Sequence, residues 1–139
     1  MIGIVVVSHS AKAAEGISEI AAQMSADVPI VAAGGDPVDG AGDTDGDFDT
    51  PAEIGTSVER IQTALVEADS GDGVVVLVDL GSAVMNAELA IEMVGVDAVI
   101  ADAPVLEGTL NATVEAASAT SVETVVEKAV EAREYRKLD

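Results

Sequence analysis

The chain has 139 residues, 49% of them hydrophobic and only 1% aromatic, which suits one compact domain with an aliphatic core. Its formal net charge of −20, from 26 acidic and 6 basic residues, excludes nucleic acid and anionic membranes as favourable partners. Cysteine is absent, which excludes disulfides, thiolate catalysis and cysteine metal sites. The acidic excess is typical of proteins from salt-loving organisms, in which salt screens self-repulsion.

Residues 2–7 form an apolar run that predicts a buried parallel strand. The run is too short for a signal peptide or a membrane span, and no basic residue precedes it, so we expect a cytoplasmic protein. Ser8, His9 and Ser10 follow and predict the turn into a first helix. Apolar residues at three- and four-residue spacing are expected on the core face of that helix: Ala13, Ile17, Ile20, Ala21 and Met24.

Residues 28–33 predict a second strand, and residues 35–50 differ from it sharply in composition. This segment contains six Asp and four Gly without apolar periodicity, which predicts an exposed acidic loop. Three of its aspartates alternate as in an EF-hand: Asp43, Asp45 and Asp47. However, Phe48 stands where that loop needs Gly, and Ile54 where it needs Glu, so a solvated loop is the better interpretation.

A second helix is predicted after Gly55, Thr56 and Ser57, of which either hydroxyl can cap it. Its expected apolar face comprises Ile54, Val58, Ile61, Leu65 and Ala68. Residues 74–80 predict a third strand, which Gly81 and Ser82 end, and residues 83–93 predict a third helix.

The remainder predicts a strand at residues 96–101, a helix at 107–117 and a last helix. Thr120-Ser121-Val122-Glu123 resembles a capping box at the start of that last helix. The resulting order, β-α-β-α-β-α-β-α-α, predicts one α/β domain over residues 1–139, with an open, mostly parallel β-sheet and helices on both faces. Ligands bind such sheets at the carboxyl ends of the strands.

Three polar clusters are expected to converge at that edge. His9, the single histidine, lies in the first cluster, and imidazole can act as a nucleophile, a base or a metal ligand. Asp79, in the third cluster, can accept a hydrogen bond from one ring nitrogen and leave the other free. The small or hydroxyl-bearing residues expected around them leave room for a tetrahedral oxyanion, which helix N-termini can bind: Ser10, Gly55, Thr56, Ser57, Gly81 and Ser82.

Less specific interpretations stay open for the same residues. His9 can simply pack in a turn or cap the first helix, and Asp79 can cap the helix that follows it. The sequence contains neither the dinucleotide glycine fingerprint nor a Walker A pattern. We therefore expect no bound nucleotide, cofactor or metal.

Four segments of the chain resemble one family in the same order: IGIVVVSHSAKAAEGISEIAAQM, IGTSVERI, VVVLVDLGSAVMNAELAIEM and ADAPVLEGTLNATVEAAS. They are similar to the phosphotransferase subunits of dihydroxyacetone kinases that depend on the phosphoenolpyruvate phosphotransferase system, which are themselves similar to mannose-type enzyme IIA domains. The resemblance implies that His9 is phosphorylated by the carrier protein HPr and that ADP bound in the nucleotide subunit of the kinase is the acceptor. It also implies a homodimer.

The resemblance assigns roles to further residues. Asp79 matches the acid that supports the active histidine, Ser82 matches a nearby serine, and Thr56 and Ser57 match a loop beside the site. Because the chain has no second histidine, its phosphate must come from a separate protein. The alternatives are an enzyme IIA of a mannose-type sugar transporter, a non-catalytic acidic binding module and, last, a conventional hydrolase.

Overall fold

A computed structural model describes residues 1–37 and 52–138 of the chain. The strands in this part are β1 (Gly3–Ser8), β2 (Ile30–Gly34), β3 (Asp36–Pro37), β4 (Ala52–Glu53), β5 (Val74–Val78) and β6 (Ala98–Ile100). The helices are α1 (Ala11–Ala21), α2 (Val58–Ala68), α3 (Ser82–Val94), α4 (Val105–Ala116) and α5 (Val122–Glu131), with a short 3-10 helix, Ala132–Glu134, after α5.

The central sheet has four parallel strands in the order β2-β1-β5-β6. β1 is fully buried, and its Val5 lies level with Val31 of β2 and Val76 of β5. Successive side chains of β1 point to opposite faces, so Ile4 and Val6 belong to one apolar layer and Val5 to the other. Helices α1, α4 and α5 cover the first layer, and α2 and α3 cover the second. The predicted α/β fold is therefore confirmed.

The helices approach the sheet closely because many of their core residues are alanines. At Gly34, the last residue of β2, an added Cβ would lie 2.6 Å from the carbonyl oxygen of Ser10 and 2.8 Å from the Cβ of Ala14. The start of α1 thus rests against the end of β2 without a side chain between them. This contact brings the turn that carries His9 to the carboxyl edge of the sheet.

The expected core face of α1 is partly wrong. The buried or half-buried side chains are those of Ala14, Ile17 and Ala21, whereas Ala13 and Ile20 are exposed. Met24, also expected on that face, lies beyond the end of the helix and is exposed. The apolar spacing is compatible with two helix faces, one that contains Ala13 and one that contains Ala14. The close contact between Ala14 and Gly34 selects the face that contains Ala14.

The expected starts of two helices also need correction. Ile54 is not part of the α2 face: it is exposed and precedes the Ser57 cap, after which the helix begins. In α5 the cap is Ser121 rather than Thr120, because the Ser121 Oγ accepts the backbone N–H of Thr124 at 3.3 Å. The first turn of α5 therefore lacks the predicted capping box.

The acidic segment predicted as a loop over residues 35–50 is partly outside the described residues. Asp36–Pro37 and Ala52–Glu53 pair as a two-stranded antiparallel ribbon, so the segment does not begin as a loop. The three aspartates of the rejected calcium interpretation, Asp43, Asp45 and Asp47, lie outside the described residues. Within residues 1–37 and 52–138, no helix combines the length and the apolar character that crossing a membrane requires.

Candidate functional site

The carboxyl edge of the sheet brings together the three polar clusters of the sequence. β1 and β5 are parallel neighbours, so His9 and Asp79, which follow these strands, end at the same place. The Asp79 backbone N–H continues the hydrogen bonds between β1 and β5 by donating to the Val7 carbonyl at 3.1 Å. The second cluster, residues 55–57, joins them because the Gly55 N–H donates to the carbonyl of His9 at 2.8 Å.

The carboxylate of Asp79 is the centre of the hydrogen-bond network. Its Oδ2 accepts the Ser8 hydroxyl at 2.9 Å and the backbone N–H of His9 at 3.0 Å, while its Oδ1 lies 3.0 Å from His9 Nδ1. Burial acts to raise the pKa of Asp79, but the backbone N–H of His9, the His9 ring and the Ser8 hydroxyl bring that pKa below the ordinary aspartate value. Asp79 is therefore ionised at neutral pH and can only accept hydrogen bonds.

This network fixes the tautomer of a neutral His9 ring. Because Asp79 can only accept, the proton must be on Nδ1, and the lone pair is left on Nε2. The Ser82 Oγ lies 3.0 Å from Nε2 and donates its proton to that lone pair. The His9 side chain is 22% exposed, so a partner can reach the ring from outside. The geometry leaves Nε2 as the ring atom that can act as a nucleophile.

Three helices begin around His9. Ser10 caps α1 by accepting the Ala13 N–H at 3.2 Å, and Ser57 caps α2 by accepting the Arg60 N–H at the same distance. α3 begins at Ser82, directly beside Nε2. Because a helix N-terminus carries a partial positive charge, α3 favours an anion on Nε2, and α1 and α2 begin within the segments that meet there.

The other predicted site residues occupy the same edge. Gly55 has a φ of +148°, which disfavours any residue with a side chain and permits its hydrogen bond to His9. The hydroxyl of Thr56 accepts the Asn86 amide at 2.7 Å, so its own proton is available to another acceptor. Gly81 precedes α3 in a helical conformation, and an added Cβ there would meet open space. Its small size is therefore not required by packing.

Sequence reasoning missed the supporting roles of two residues at the site, of which Ser8 belongs to the first cluster. Ser8 is buried, and its hydroxyl both donates to Asp79 and accepts the Ser10 N–H at 3.1 Å. Asn86 lies one turn after Ser82 on the same side of α3 and orients Thr56. The spacing of four residues from Ser82 was the available signal for Asn86. In the part of the chain that the structure describes, no three His, Asp or Glu side chains are grouped to hold a metal ion.

Comparison with known proteins gives consistent matches along the chain. The family model EIIA-man, described as the PTS system fructose IIA component, matches residues 3–126. The phosphoryl donor subunit DhaM of the PEP-dependent dihydroxyacetone kinase from Escherichia coli (strain K12) is 33% identical over 99% of this chain. The phosphotransferase subunit DhaM of the PTS-dependent dihydroxyacetone kinase from Lactococcus lactis subsp. lactis is 30% identical over 91% of this chain.

A solved structure agrees with these matches. The crystal structure of a protein of unknown function, EF1359, is 28% identical, with a TM-score of 0.70 and 93% of each chain covered. The chain spans only 28% of the length of the Escherichia coli relative, but 91% of that from Lactococcus lactis. None of these matches bears on salt adaptation, which stays a prediction. The family match over residues 3–126 nevertheless shows that the chain belongs to the EIIA-man family of phosphotransferase-system proteins.

Proposed function

We propose that this chain is a phosphohistidine carrier that takes a phosphoryl group on Nε2 of His9 and passes it to the nucleotide subunit of a dihydroxyacetone kinase. One observation carries the proposal: the ionised Asp79 fixes the proton on Nδ1, which leaves the Nε2 lone pair beside Ser82 and the start of α3. The dihydroxyacetone kinase subunits named among the relatives supply the choice of acceptor.

In the first transfer, Nε2 attacks the phosphorus of a phosphohistidine on HPr. The bond from phosphorus to Nε2 forms while the bond to the donor nitrogen breaks, and the donor ring keeps the electron pair. Positive charge develops on the His9 ring, and the carboxylate of Asp79 stabilises it through Nδ1–H. The Ser82 hydroxyl, no longer needed at the lone pair, and the Thr56 hydroxyl donate to the phosphoryl oxygens.

In the second transfer, a terminal phosphate oxygen of ADP attacks the same phosphorus. The phosphorus–Nε2 bond breaks, the electron pair returns to Nε2, and ATP forms in the kinase subunit, ready to phosphorylate dihydroxyacetone. Such exchanges depend mainly on positioning and electrostatic stabilisation. The protein therefore needs no cofactor of its own, and we place this exchange in the cytoplasm, with the carrier as a homodimer.

The second candidate is an enzyme IIA of a sugar phosphotransferase transporter, which the description of the matching family model favours. The chemistry at His9 would be identical in that protein. Only the acceptor, a transporter component instead of bound ADP, would differ.

Reconstitution tests the proposal. Phosphoenolpyruvate, enzyme I, HPr and the two kinase subunits are supplied, and dihydroxyacetone phosphorylation is followed with and without this chain. We expect turnover with the wild-type chain and none with His9→Ala, which keeps its circular dichroism but gains no phosphate by intact-mass measurement. An acid-labile phosphate on His9→Ala would contradict the carrier role. Phosphate reaching a transporter component while ADP stays unchanged would move the acceptor to the sugar transporters.

A further inference from the structure

The hydrogen bonds through the His9 ring join three side chains in a line. Asp79 Oδ1 lies 3.0 Å from Nδ1 on one side of the ring, and Ser82 Oγ lies 3.0 Å from Nε2 on the other. Because Asp79 keeps the ring proton on Nδ1, the Ser82 hydroxyl is the donor to Nε2 and the ring is the acceptor. A carboxylate, an imidazole and a hydroxyl in this arrangement form the triad of serine hydrolases, which is recognised by geometry and not by sequence position.

The position of Ser82 at the start of α3 suits a nucleophile. Ser82 is exposed, so a small molecule can reach its hydroxyl from solvent. Within the described residues, the first backbone hydrogen bond of this helix start comes from the next residue, Ala83, whose N–H donates to the Leu80 carbonyl at 3.0 Å. N–H groups at a helix start lack an acceptor inside the helix. The Ser82 N–H is therefore available to an oxyanion that forms beside Oγ.

A cleft next to this triad indicates which class of compound fits. The cleft has a volume of about 410 Å³, and both Asp79 and Gly81, the residue before Ser82, line it. Such a volume is in the range of small-molecule sites. Most of the other lining side chains are apolar: Val78, Leu80, Val84, Ile100, Ala101 and Ala103. The rest of the lining is acidic, from Glu88 and Asp102, and no Lys or Arg among the described residues lines the cleft. The cleft therefore favours neutral compounds over anionic ones.

We propose that Asp79, His9 and Ser82 also act as a triad that hydrolyses small neutral esters, with Ser82 as the nucleophile. Ser82 Oγ attacks the ester carbonyl while its proton passes to Nε2, and Nε2–H then protonates the departing alcohol. Water attacks the acyl group on Oγ and gives one proton to Nε2. That proton returns to Oγ as the carboxylic acid leaves, so ester and water become acid and alcohol without any co-reactant.

This activity goes beyond the phosphoryl carrier and excludes it in time. Both reactions need the lone pair of Nε2: the carrier uses it to bind phosphorus, and the triad uses it to take the Ser82 proton. A chain phosphorylated on Nε2 has no free lone pair there. The ester hydrolase is therefore active only in the unphosphorylated chain.

Two probes test the triad. An alkyl fluorophosphonate labels an activated serine: the bond from Oγ to phosphorus forms, fluoride leaves, and the hydroxyl proton passes to Nε2. Peptide mass mapping then locates the label. p-Nitrophenyl acetate reports hydrolysis through release of p-nitrophenolate, and mapping of the acetyl group distinguishes Ser82 from direct attack by the His9 ring. Ser118→Ala is the matched control, because Ser118 is also an exposed serine but follows α4, which leads away from the carboxyl edge of the sheet.

We expect the label on Ser82, and a loss of labelling and of ester hydrolysis by about tenfold or more in Ser82→Ala and in His9→Gln, with Ser118→Ala equal to wild type. Circular dichroism checks that each variant is folded. Wild type phosphorylated with phosphoramidate, a small phosphoryl donor, should lose both reactions to the same extent.

Three results would overturn the inference: no label on Ser82 in the wild type, equal labelling of Ser82 in His9→Gln, or acetyl found on His9 with hydrolysis unchanged in Ser82→Ala. The outcome is separate from that of the carrier proposal. If His9 takes phosphate but Ser82 is not labelled, the triad falls alone. If Ser82 is labelled but His9 takes no phosphate, the carrier falls alone.

Discussion

Replacement of Asp79 by asparagine tests the central feature of the site, because the amide keeps the shape of the carboxylate but not its acceptor capacity. In the native protein, Oδ2 accepts two hydrogen bonds and Oδ1 accepts one, from His9 Nδ1. An amide can satisfy the backbone N–H and the Ser8 hydroxyl only with its oxygen at the Oδ2 position. Its NH₂ group then faces Nδ1, which must become the acceptor. The ring proton moves to Nε2, and the nucleophilic lone pair is lost.

The magnitude follows from two losses. Restoring the reactive tautomer breaks the hydrogen bond between the new amide and Nδ1, two neutral groups, which is worth about 0.5–1.5 kcal/mol. The developing charge on the ring also loses the carboxylate beside it, at an effective dielectric constant well above that of a dry interior. Together we expect about 3–4 kcal/mol, or about 10²- to 10³-fold in the rate of His9 phosphorylation, at 1.36 kcal/mol for each factor of ten.

The assay is rapid-quench phosphorylation followed by intact mass, with phosphoramidate as the donor so that docking is not involved. Nitrogen NMR of the His9 ring reports the tautomer independently. Ser8→Ala is the matched control, since it removes one donor to Asp79 and leaves the carboxylate facing Nδ1. The reasoning is refuted if Asp79→Asn keeps native circular dichroism and reacts within threefold of wild type, or if its ring proton stays on Nδ1.

Three further predictions follow from the same contacts. Ser82→Ala should slow His9 phosphorylation by about 3- to 30-fold, which is the equivalent of one hydrogen bond. Its free energy of unfolding should stay within about 0.5 kcal/mol of the wild-type value. An unchanged rate would show that Ser82 has no role in phosphoryl transfer. Because the pKa of Asp79 is lowered in the folded state, its contribution to stability is complete above the ordinary aspartate pKa and is lost as the pH falls through the lowered value. The free energy of unfolding should therefore fall less steeply with decreasing pH in Asp79→Asn than in the wild type. Identical slopes in the two proteins would contradict the lowered pKa of Asp79. Gly34→Ala should destabilise the chain by about 1–3 kcal/mol, because the added Cβ would overlap Ser10 and Ala14. Gly16→Ala in α1 should instead stabilise it by about 0.5–1 kcal/mol, because an added Cβ there has open space. Chemical denaturation measures both changes.

The order of elements and the carboxyl edge of the sheet were predictable because strand and helix periods are strong in this sequence. β5 is a run of buried β-branched and leucine residues, and the strand after which His9 lies is equally apolar. Parallel topology then places His9 and Asp79 at one edge by geometry alone. What spacing did not determine was which of several compatible residues makes each contact.

The corrections share that cause. In α1, Ala14 rather than Ala13 packs inward because of its contact with Gly34, a close approach between two elements distant in sequence. Ile54 looked like the first apolar residue of α2, yet it is exposed beside the site. An apolar residue that fits a helical period can therefore still lie outside the core, and only the fold distinguishes the two. Side-chain hydrogen bonds such as Asn86 to Thr56 likewise depend on tertiary placement.

The acidity of the chain raises a physical question, because a phosphoryl group adds further negative charge to a protein of net charge −20. Near His9 the sequence offers one exposed cation, Lys12, while the groups at the site itself are hydroxyls and the start of α3. A helix N-terminus stabilises an exposed anion by only about 0.3–1 kcal/mol. Weak stabilisation suits a carrier: a phosphoryl group bound tightly by arginines would be difficult to transfer. With a site built from neutral donors, we expect the partner protein to supply positive charge only while the two proteins are docked.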